Sequence, residues 1–440
     1  MKRRICAGLS VLLCAVSLAG CGGSKQAESE TGTASTADVQ QSGQLAEAAP
    51  VSGETEVNYD EARAAAEKLT DKLAFEGTLE LAEGNDENCI WSPVNVSMAL
   101  AMLAETTDGD SRQQILDVLE TASVQDMRSR MDLLWPAVSY DRSNTSEDWD
   151  GGTCLPANSI WLREGASYDQ ELLQILAQTY HASSYAGEMG SEAYDQMLHD
   201  WLNAQTKDLL ADSVDGVSLK PETVIALVST IYYHANWAEA FDEEATETDV
   251  FHTASGESSA DYMTSRFRGD YYRGEHYGAI CLEMADENCF WLLLPDEGCD
   301  VADILSDPAY LQMVKGETEG KRADITLKVP KYDISSDISL SDTLQALGVT
   351  DVFEPGKADF SPLSYEDGPL YLSAAKHAAR IAVDEQGVTA AAYTMMGVEA
   401  AGIEEEPELQ IDFICDHPFV FAMMNRSLDL VMFEGVVNQP

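Results

Sequence analysis

The chain has 440 residues, 45% of them hydrophobic, enough for a large core built as one big domain or as two to three small ones. Asp and Glu number 77 against 26 Lys and Arg, a formal net charge of −51. A surface of that sign repels nucleic-acid phosphates and anionic headgroups, which excludes nucleic acid as a partner.

Residues 1–20 stand apart from the rest. Lys2, Arg3 and Arg4 form a basic start, and residues 5–19 are apolar with interspersed small side chains. This is the pattern of a secretory signal peptide, too short for a membrane span. It ends in Leu18-Ala19-Gly20-Cys21, which resembles the bacterial lipoprotein box, where a peptidase cuts before a lipid-modified cysteine. The resemblance implies export, a lipid on Cys21 and anchorage on the outer face of a bacterial membrane. Residues 22–58 are rich in Gly, Ser, Thr, Ala, Gln and Glu and cannot bury enough surface to offset ordering entropy. Segment 21–58 is therefore expected to be a disordered acidic tether, spanning about 35 Å by random-coil scaling.

The folded part is expected over 59–440, with no second linker and no internal repeat. Tyr59, Ala62, Ala66, Leu69 and Leu73 recur at spacings of three and four, which predicts an amphipathic first helix. Ser92 and Pro93 open another, with Ser92 as cap and Pro93 in the first turn, and residues 96–105 are apolar enough to be wholly buried. Residues 170–180 and 196–210 also read as helices. The period then changes. Residues 224–234 are apolar and β-branched, the mark of a central strand buried on both faces. Residues 279–284 and 289–294 read as a hairpin, 324–332 as an alternating strand, and 413–424 with 428–437 as a C-terminal hairpin over 425–427. Helices first and strands later argue for an α+β fold.

The chemistry of known enzymes is missing from the motifs. No GxSxG elbow, HExxH, P-loop or GxGxxG is present, and the seven histidines lie far apart in sequence. Of nine cysteines, Cys6 and Cys14 fall in the leader and Cys21 in the lipid box. The other six show no CxxC and no zinc-ligand spacing. Cys281 and Cys289 flank Ala285 symmetrically, so they either face each other across the hairpin or serve as free core thiols. The expectation is a protein that is not an enzyme and that uses no cofactor or metal.

Residues 385–401 read EQGVTAAAYTMMGVEAA and follow a strand expected over 376–384. Alternate positions Val388, Ala390, Ala392, Thr394, Met396 and Val398 are all small or apolar, which suits a strand with one face buried. The segment then runs into AGIEEEPE, acidic and interrupted by Pro407, which belongs in solvent. An alanine-rich helix fits the first part equally well, since Ala has the best helix propensity. Pattern alone leaves the two open.

The segment EQGVTAAAYT resembles the reactive-loop hinge of the serpin superfamily. Four further stretches are similar to that family in the same order: WSPVNVSMALAMLAETTDGDSRQQIL, IYYHANWAEAFDEEATETDVFH, LYLSAAKHAARIAVDEQG and DHPFVFAMMNRSLDLVMFEGVVNQP. The resemblance implies helices packed on a large central sheet, smaller sheets and an exposed reactive-centre loop. It also implies a suicide-substrate mechanism: a protease of the serine or the cysteine class cuts the loop, and the hinge inserts into the sheet as a new strand. The alternative is a non-inhibitory serpin-fold lipoprotein that binds at the surface.

Carried onto this sequence, the resemblance places the cut bond at Ala401-Gly402, with a small-residue protease preference. The hinge is Glu385, Gly387, Val388, Thr389, Ala390, Ala391 and Ala392. Lys331 and Glu385 fall where the family has a salt bridge at the top of the sheet, near Trp237. Ser92 and His377 match a hydrogen-bonded cluster that governs sheet opening. Three positions depart from the family's pattern: Asn95 and Ser229 stand where a serine and an asparagine are usual, and Val388 stands where Thr or Ser is usual at the first inserted position. The partners implied are the target protease and, through the lipid, a membrane; the expected state is monomeric.

Overall fold

The computed structural model describes residues 8–18, 36–38, 43–49, 57–84, 86–142, 151–207, 217–363, 369–388 and 409–440. In chain order the strands that matter here are β1 (Gly8–Leu18), β2 (Thr153–Arg163), β3 (Ala182–Gly187), β4 (Thr223–Asn236), β5 (Gly256–Arg273), β6 (Tyr277–Glu283), β7 (Cys289–Pro295), β8 (Lys321–Pro330), β9 (Tyr332–Ser339), β10 (Leu370–Val383), β11 (Leu409–Ile414), β12 (Phe419–Asn425) and β13 (Leu430–Val437). The central sheet runs β9-β10-β1-β4-β2-β3, with Gly43–Ala46 at its edge. A second sheet runs β11-β8-β5-β6-β7-β12-β13 and ends on Cys89–Trp91. Helices cover the central sheet, so the α+β class follows from helices and sheets that alternate only loosely along the chain.

The helix α1 (Pro93–Thr106) shows how sequence dictates placement. The Ser92 hydroxyl accepts from the Asn95 amide at 3.3 Å, and Pro93 sits in the first turn, where no backbone donor is needed. Every residue of the helix is buried, as its apolar sequence predicts. It packs against β4, β13 and the start of the central sheet. Its only acid, Glu105, lies inside the protein. Arg128 holds both of its carboxylate oxygens at 2.7 and 2.6 Å, and the Tyr180 hydroxyl adds a third bond at 2.8 Å, so the buried charge is compensated.

Several expectations are met and others shift. The 170–180 helix is found at Gln170–Thr179, and the buried strand at β4 spans Thr223–Asn236. The hairpin of β6 and β7 forms, with Glu283 opposite Cys289. The first helix ends early, at Ala66, because Glu67 turns extended and Lys68 adopts φ 63°. Leu69 and Leu73 keep their places in the core from a separate turn. The helix expected over 196–210 runs instead from Glu192 to Gln205, capped by Ser191, whose hydroxyl accepts from the Tyr194 amide. The expected 324–332 strand is two strands in different sheets, β8 ending at Pro330 and β9 beginning at Tyr332. Likewise Phe413 belongs to β11, which pairs parallel with β8, whereas the C-terminal hairpin is β12 with β13. In both cases the alternation sets the period of a strand and leaves open which sheet each part joins.

The N-terminal stretch takes part in the central sheet. The backbone of β1 pairs antiparallel with both β10 and β4. Two short stretches of the segment expected to be a tether also run as strands: Thr36–Asp38 pairs with Ser167–Asp169, and Gly43–Ala46 with β3. An edge strand offers unpaired backbone groups, and a small-residue segment can add to it at little steric cost. Cys21 lies outside the described residues.

Candidate functional site

Both β4 and β10 are antiparallel to β1, so they run in the same direction and are joined only through the strand between them. The sheet is thus parted at its middle, with an 11-residue strand in the opening. At mid-height Leu12 stands opposite His377 on one side and Ser229 on the other.

Beneath that level lies a buried polar cluster. The Ser92 amide donates to His377 Nε2 at 3.0 Å, and the Ser92 hydroxyl donates to the Met432 carbonyl at 2.6 Å. The Asn95 side-chain amide donates to the Ser229 hydroxyl at 2.7 Å. A side-chain hydrogen bond thus ties helix α1 to strand β4, with the donating amide on the helix and the accepting hydroxyl on the strand. His377 is fully buried, and burial drives its pKa down to about 3. It is a neutral ring, with Nε2 as acceptor and the edge of Trp91 at 6.5 Å.

At the top of the sheet β10 passes directly into the hinge. Gly387 and Val388 pair with Asn236 and Ala235 at the end of β4. The Trp237 amide donates to the Gln386 carbonyl and its indole to the Asp384 carbonyl, each at 2.9 Å, while the Phe241 amide donates to the Glu385 carbonyl at 2.8 Å. Asp384 accepts from the amides of Gln386 and Gly387 at 2.9 and 3.3 Å, closing a tight turn. The turn needs a glycine: Gly387 has φ 155°, and a Cβ there would sit 2.5 Å from the Ala235 carbonyl oxygen.

Glu385 carries the charge of the site. Lys331 donates to its carboxylate at 2.6 Å, and the Thr246 hydroxyl at 2.8 Å. The Glu385 side chain is 8% exposed and the Lys331 side chain 36%. Burial raises the Glu385 pKa, but the bonds from Lys331 and Thr246 outweigh it and hold the group below the usual glutamate value. Lys331 is the single residue by which the chain crosses from β8 to β9, and this crossing aims its amine at the hinge.

The structure thus brings Trp237, Lys331, Glu385, Gly387 and Val388 together at the top of the sheet, and Ser92 with His377 at its middle. Thr389, Ala390, Ala391, Ala392, Ala401 and Gly402 lie outside the described residues. Sequence reasoning missed Asp384, Phe241, Thr246 and His234, whose Nδ1 lies 3.2 Å from the Val388 carbonyl. Only Asp384 left a legible signal, an Asp followed three residues later by Gly. Among the described residues, no group of three or more His, Cys, Asp or Glu is placed to hold a metal ion.

The site thus combines a large sheet parted at its centre by one strand with a flanking strand that leads into a glycine-hinged turn. Residues 68–440 match the family model described as Serpin (serine protease inhibitor), and the chain belongs to that family. Among curated relatives it is 27% identical over 370 residues to Serpin-ZX of Arabidopsis thaliana, covering 81% of this chain and 93% of that one. It is 26% identical over 367 residues to plasminogen activator inhibitor 1 of Sus scrofa, covering 81% and 87%. Among solved structures, the native state of the thermophilic serpin tengpin aligns with a TM-score of 0.73 at 24% identity over 91% of this chain and all of that one. The native stressed conformation of AtSerpin1 from Arabidopsis aligns with a TM-score of 0.74 at 23% identity, covering 86% and 98%. The serpin fold is thereby established, and with it membership of a family of protease inhibitors.

Proposed function

We propose that this chain is an inhibitory serpin that traps a serine or cysteine protease by loop cleavage and strand insertion, and that it acts on the outer face of a bacterial membrane, tethered through a lipid on Cys21. The observation that carries the reading is the opening between β4 and β10, which holds an 11-residue strand antiparallel to both flanks. Removal of residues 1–20 on export vacates that place. Residues 388–398 are a stretch of the same length, uncharged throughout, and they continue directly from the flank of the opening.

A strand from the hinge, running back down beside β10, has the direction that β1 has. Its inward positions are Val388, Ala390, Ala392, Thr394, Met396 and Val398, small or apolar side chains that enter a sheet without burying charge. The proposed cut bond, Ala401-Gly402, follows at a distance that leaves the hinge free to fold inward, and its small residues suit shallow elastase-like or subtilisin-like pockets. In this reading the protein is a consumed inhibitor, and no group of its own performs catalysis.

The test is incubation of residues 21–440 with a panel of serine and cysteine proteases, followed by denaturing gels. A complex that survives denaturation, with release of a C-terminal fragment beginning at Gly402, supports the reading. Clean cleavage of the loop with every protease and no complex overturns it. That second outcome favours a binding protein; a similar fold is that of human thyroxine-binding globulin, solved in complex with thyroine and aligned at a TM-score of 0.69 and 20% identity.

A further inference from the structure

The second sheet contains a thiol arrangement that the inhibitor reading does not use. Cys281 on β6 stands opposite Trp291, and Cys289 on β7 stands opposite Glu283, so the two cysteines share one face of the hairpin and lie one diagonal step apart. Both are free thiols, and the Cys281 thiol donates to the Leu282 carbonyl at 3.9 Å. Arg426, from the turn between β12 and β13, reaches over both. Its Nε lies 3.4 Å from Cys289 Sγ and its Nη2 lies 3.7 Å from Cys281 Sγ. Arg426 is itself fixed: Nη1 donates to Glu283 at 3.3 Å, and Arg63 donates to the carbonyls of Arg426 and Ser427.

We propose that Cys281 and Cys289, bridged by the Arg426 guanidinium, form a redox-active thiol pair that a hydroperoxide converts to a cross-strand disulfide. Two observations separate this pair from the other free thiols: the two cysteines share one face of the hairpin, and one cation contacts both sulfurs. Cys281 is partly buried and Cys289 buried, while the partly buried Cys299 lies apart from both. Cys89, Cys154 and Cys415, by contrast, are buried without a cationic partner in the contacts that set their acidity. Burial pushes the Cys89 thiol up to about 12 and the other two still higher, which leaves them inert.

The acidity of the pair supports the assignment. The hydrogen bond from Cys281 and the charge of Arg426 bring Cys289 down to about 7, against the opposing effects of burial and of Glu283, while Cys281 keeps its proton. The charged and titratable groups facing the pair are Arg426, Glu283 and Tyr272. One thiolate is therefore available near neutral pH, and a proton-bearing thiol waits beside it.

The reaction runs in two steps. The Cys289 thiolate attacks one oxygen of the peroxide, the O–O bond breaks, and Cys289 becomes a sulfenic acid as hydroxide leaves and takes up a proton. Cys281 then attacks the sulfenic sulfur, an S–S bond forms, and the sulfenic oxygen departs as water with the Cys281 proton. Two thiols and one hydrogen peroxide give one disulfide and two waters. Because the two cysteines lie a diagonal step apart, the strands must be drawn together locally for an S–S bond of about 2.05 Å to form.

The hairpin end also supports the hinge. The Ala238 amide donates to the Glu283 carbonyl at 2.9 Å, and the ring of Phe290, next to Cys289, meets Trp237 edge-on at 5.5 Å. The proposal does not depend on inhibition.

The test uses the folded, fully reduced protein with stoichiometric hydrogen peroxide at pH 7, alkylation of remaining thiols, and peptide mass mapping. A 281–289 crosslink is expected, formed before any change at Cys89, Cys154 or Cys415. Cys281→Ser should stop the reaction at a sulfenic acid on Cys289 that a 1,3-dione captures. Arg426→Gln should slow the first step about tenfold at pH 7, with the rate recovering above pH 8.5, and Arg426→Lys should restore much of it, a comparison that separates lost charge from lost folding. The proposal is overturned if the parent protein shows no 281–289 link while other thiols oxidise, or if Arg426→Gln reacts as fast as the parent at pH 7.

Discussion

The neutral state of His377 makes a quantitative prediction. An unfolded chain binds a proton at this histidine below about pH 6.5, whereas the folded protein resists until about pH 3. Between those values the unfolded state holds more protons, so stability rises with pH and falls as the solution is acidified. The loss is about 1.4 kcal/mol per pH unit, or about 3 kcal/mol between pH 6.5 and pH 4 from this one ring. The structural cost is visible in the contact that protonation destroys: Nε2 can no longer accept from the Ser92 amide, which is then left unpaired at the start of a buried helix. His377→Gln keeps an acceptor near that place and removes the proton site. It should lower stability at pH 7.5 by about 1–2 kcal/mol through imperfect packing, and should lose less on acidification than the parent does. The assay is urea unfolding followed by tryptophan fluorescence from pH 8 to pH 4. The parent-minus-variant difference cancels the contribution of the surface carboxylates. It should shrink and then change sign as the pH falls. A difference that stays constant across the range would refute the buried neutral histidine.

Three other predictions address the core, the hinge and the loop. Glu434 is fully buried beside the Tyr310 hydroxyl, and burial raises its pKa well above the usual value. The folded state keeps a proton that the unfolded state releases above pH 4.5, so the parent should lose stability as pH rises. Glu434→Gln should gain about 1–3 kcal/mol at pH 8 relative to the parent and flatten the slope, as read by thermal unfolding at pH 5 and pH 8. Lys331→Met leaves the Glu385 carboxylate without its cation. Because the lysine is partly exposed, the stability cost should be near 1 kcal/mol, but the hinge should be cut faster in limited proteolysis; an unchanged rate would argue that the ion pair does not restrain it. Ala390→Arg would force a charge into the closing sheet, so the variant should be cleaved as a substrate without forming a stable complex, whereas equal inhibition would contradict insertion.

Much of this architecture was legible from local pattern. The buried helix at Pro93–Thr106 follows from its cap, its proline and its unbroken apolar run, and the strand at Thr223–Asn236 from its β-branched continuity. The hinge residues were marked by a glycine and three alanines, although pattern alone did not separate strand from helix there. The family resemblance favours a strand there, and it also pointed to Lys331 and Glu385, 54 residues apart. Boundaries were less legible. The crossing at Lys331 splits one alternating run between two sheets, and Phe413 joins β11 because a parallel place beside β8 was available to it.

What the sequence by itself determined were the features set by near neighbours: helix caps, strand period, the turn that only Gly387 can make, and the uncharged character of the segment proposed to enter the sheet. Contacts across the chain were decided by the tertiary structure alone. Asn95 reaches Ser229 over 134 residues, and Arg426 reaches Cys289 over 137. No local pattern encodes such pairs, because which strand lies beside which depends on the burial of every face at once. Asn95 and Ser229 illustrate the reason: each is a polar residue in a largely apolar element, and only the packed helix and sheet reveal that the bond between them is made.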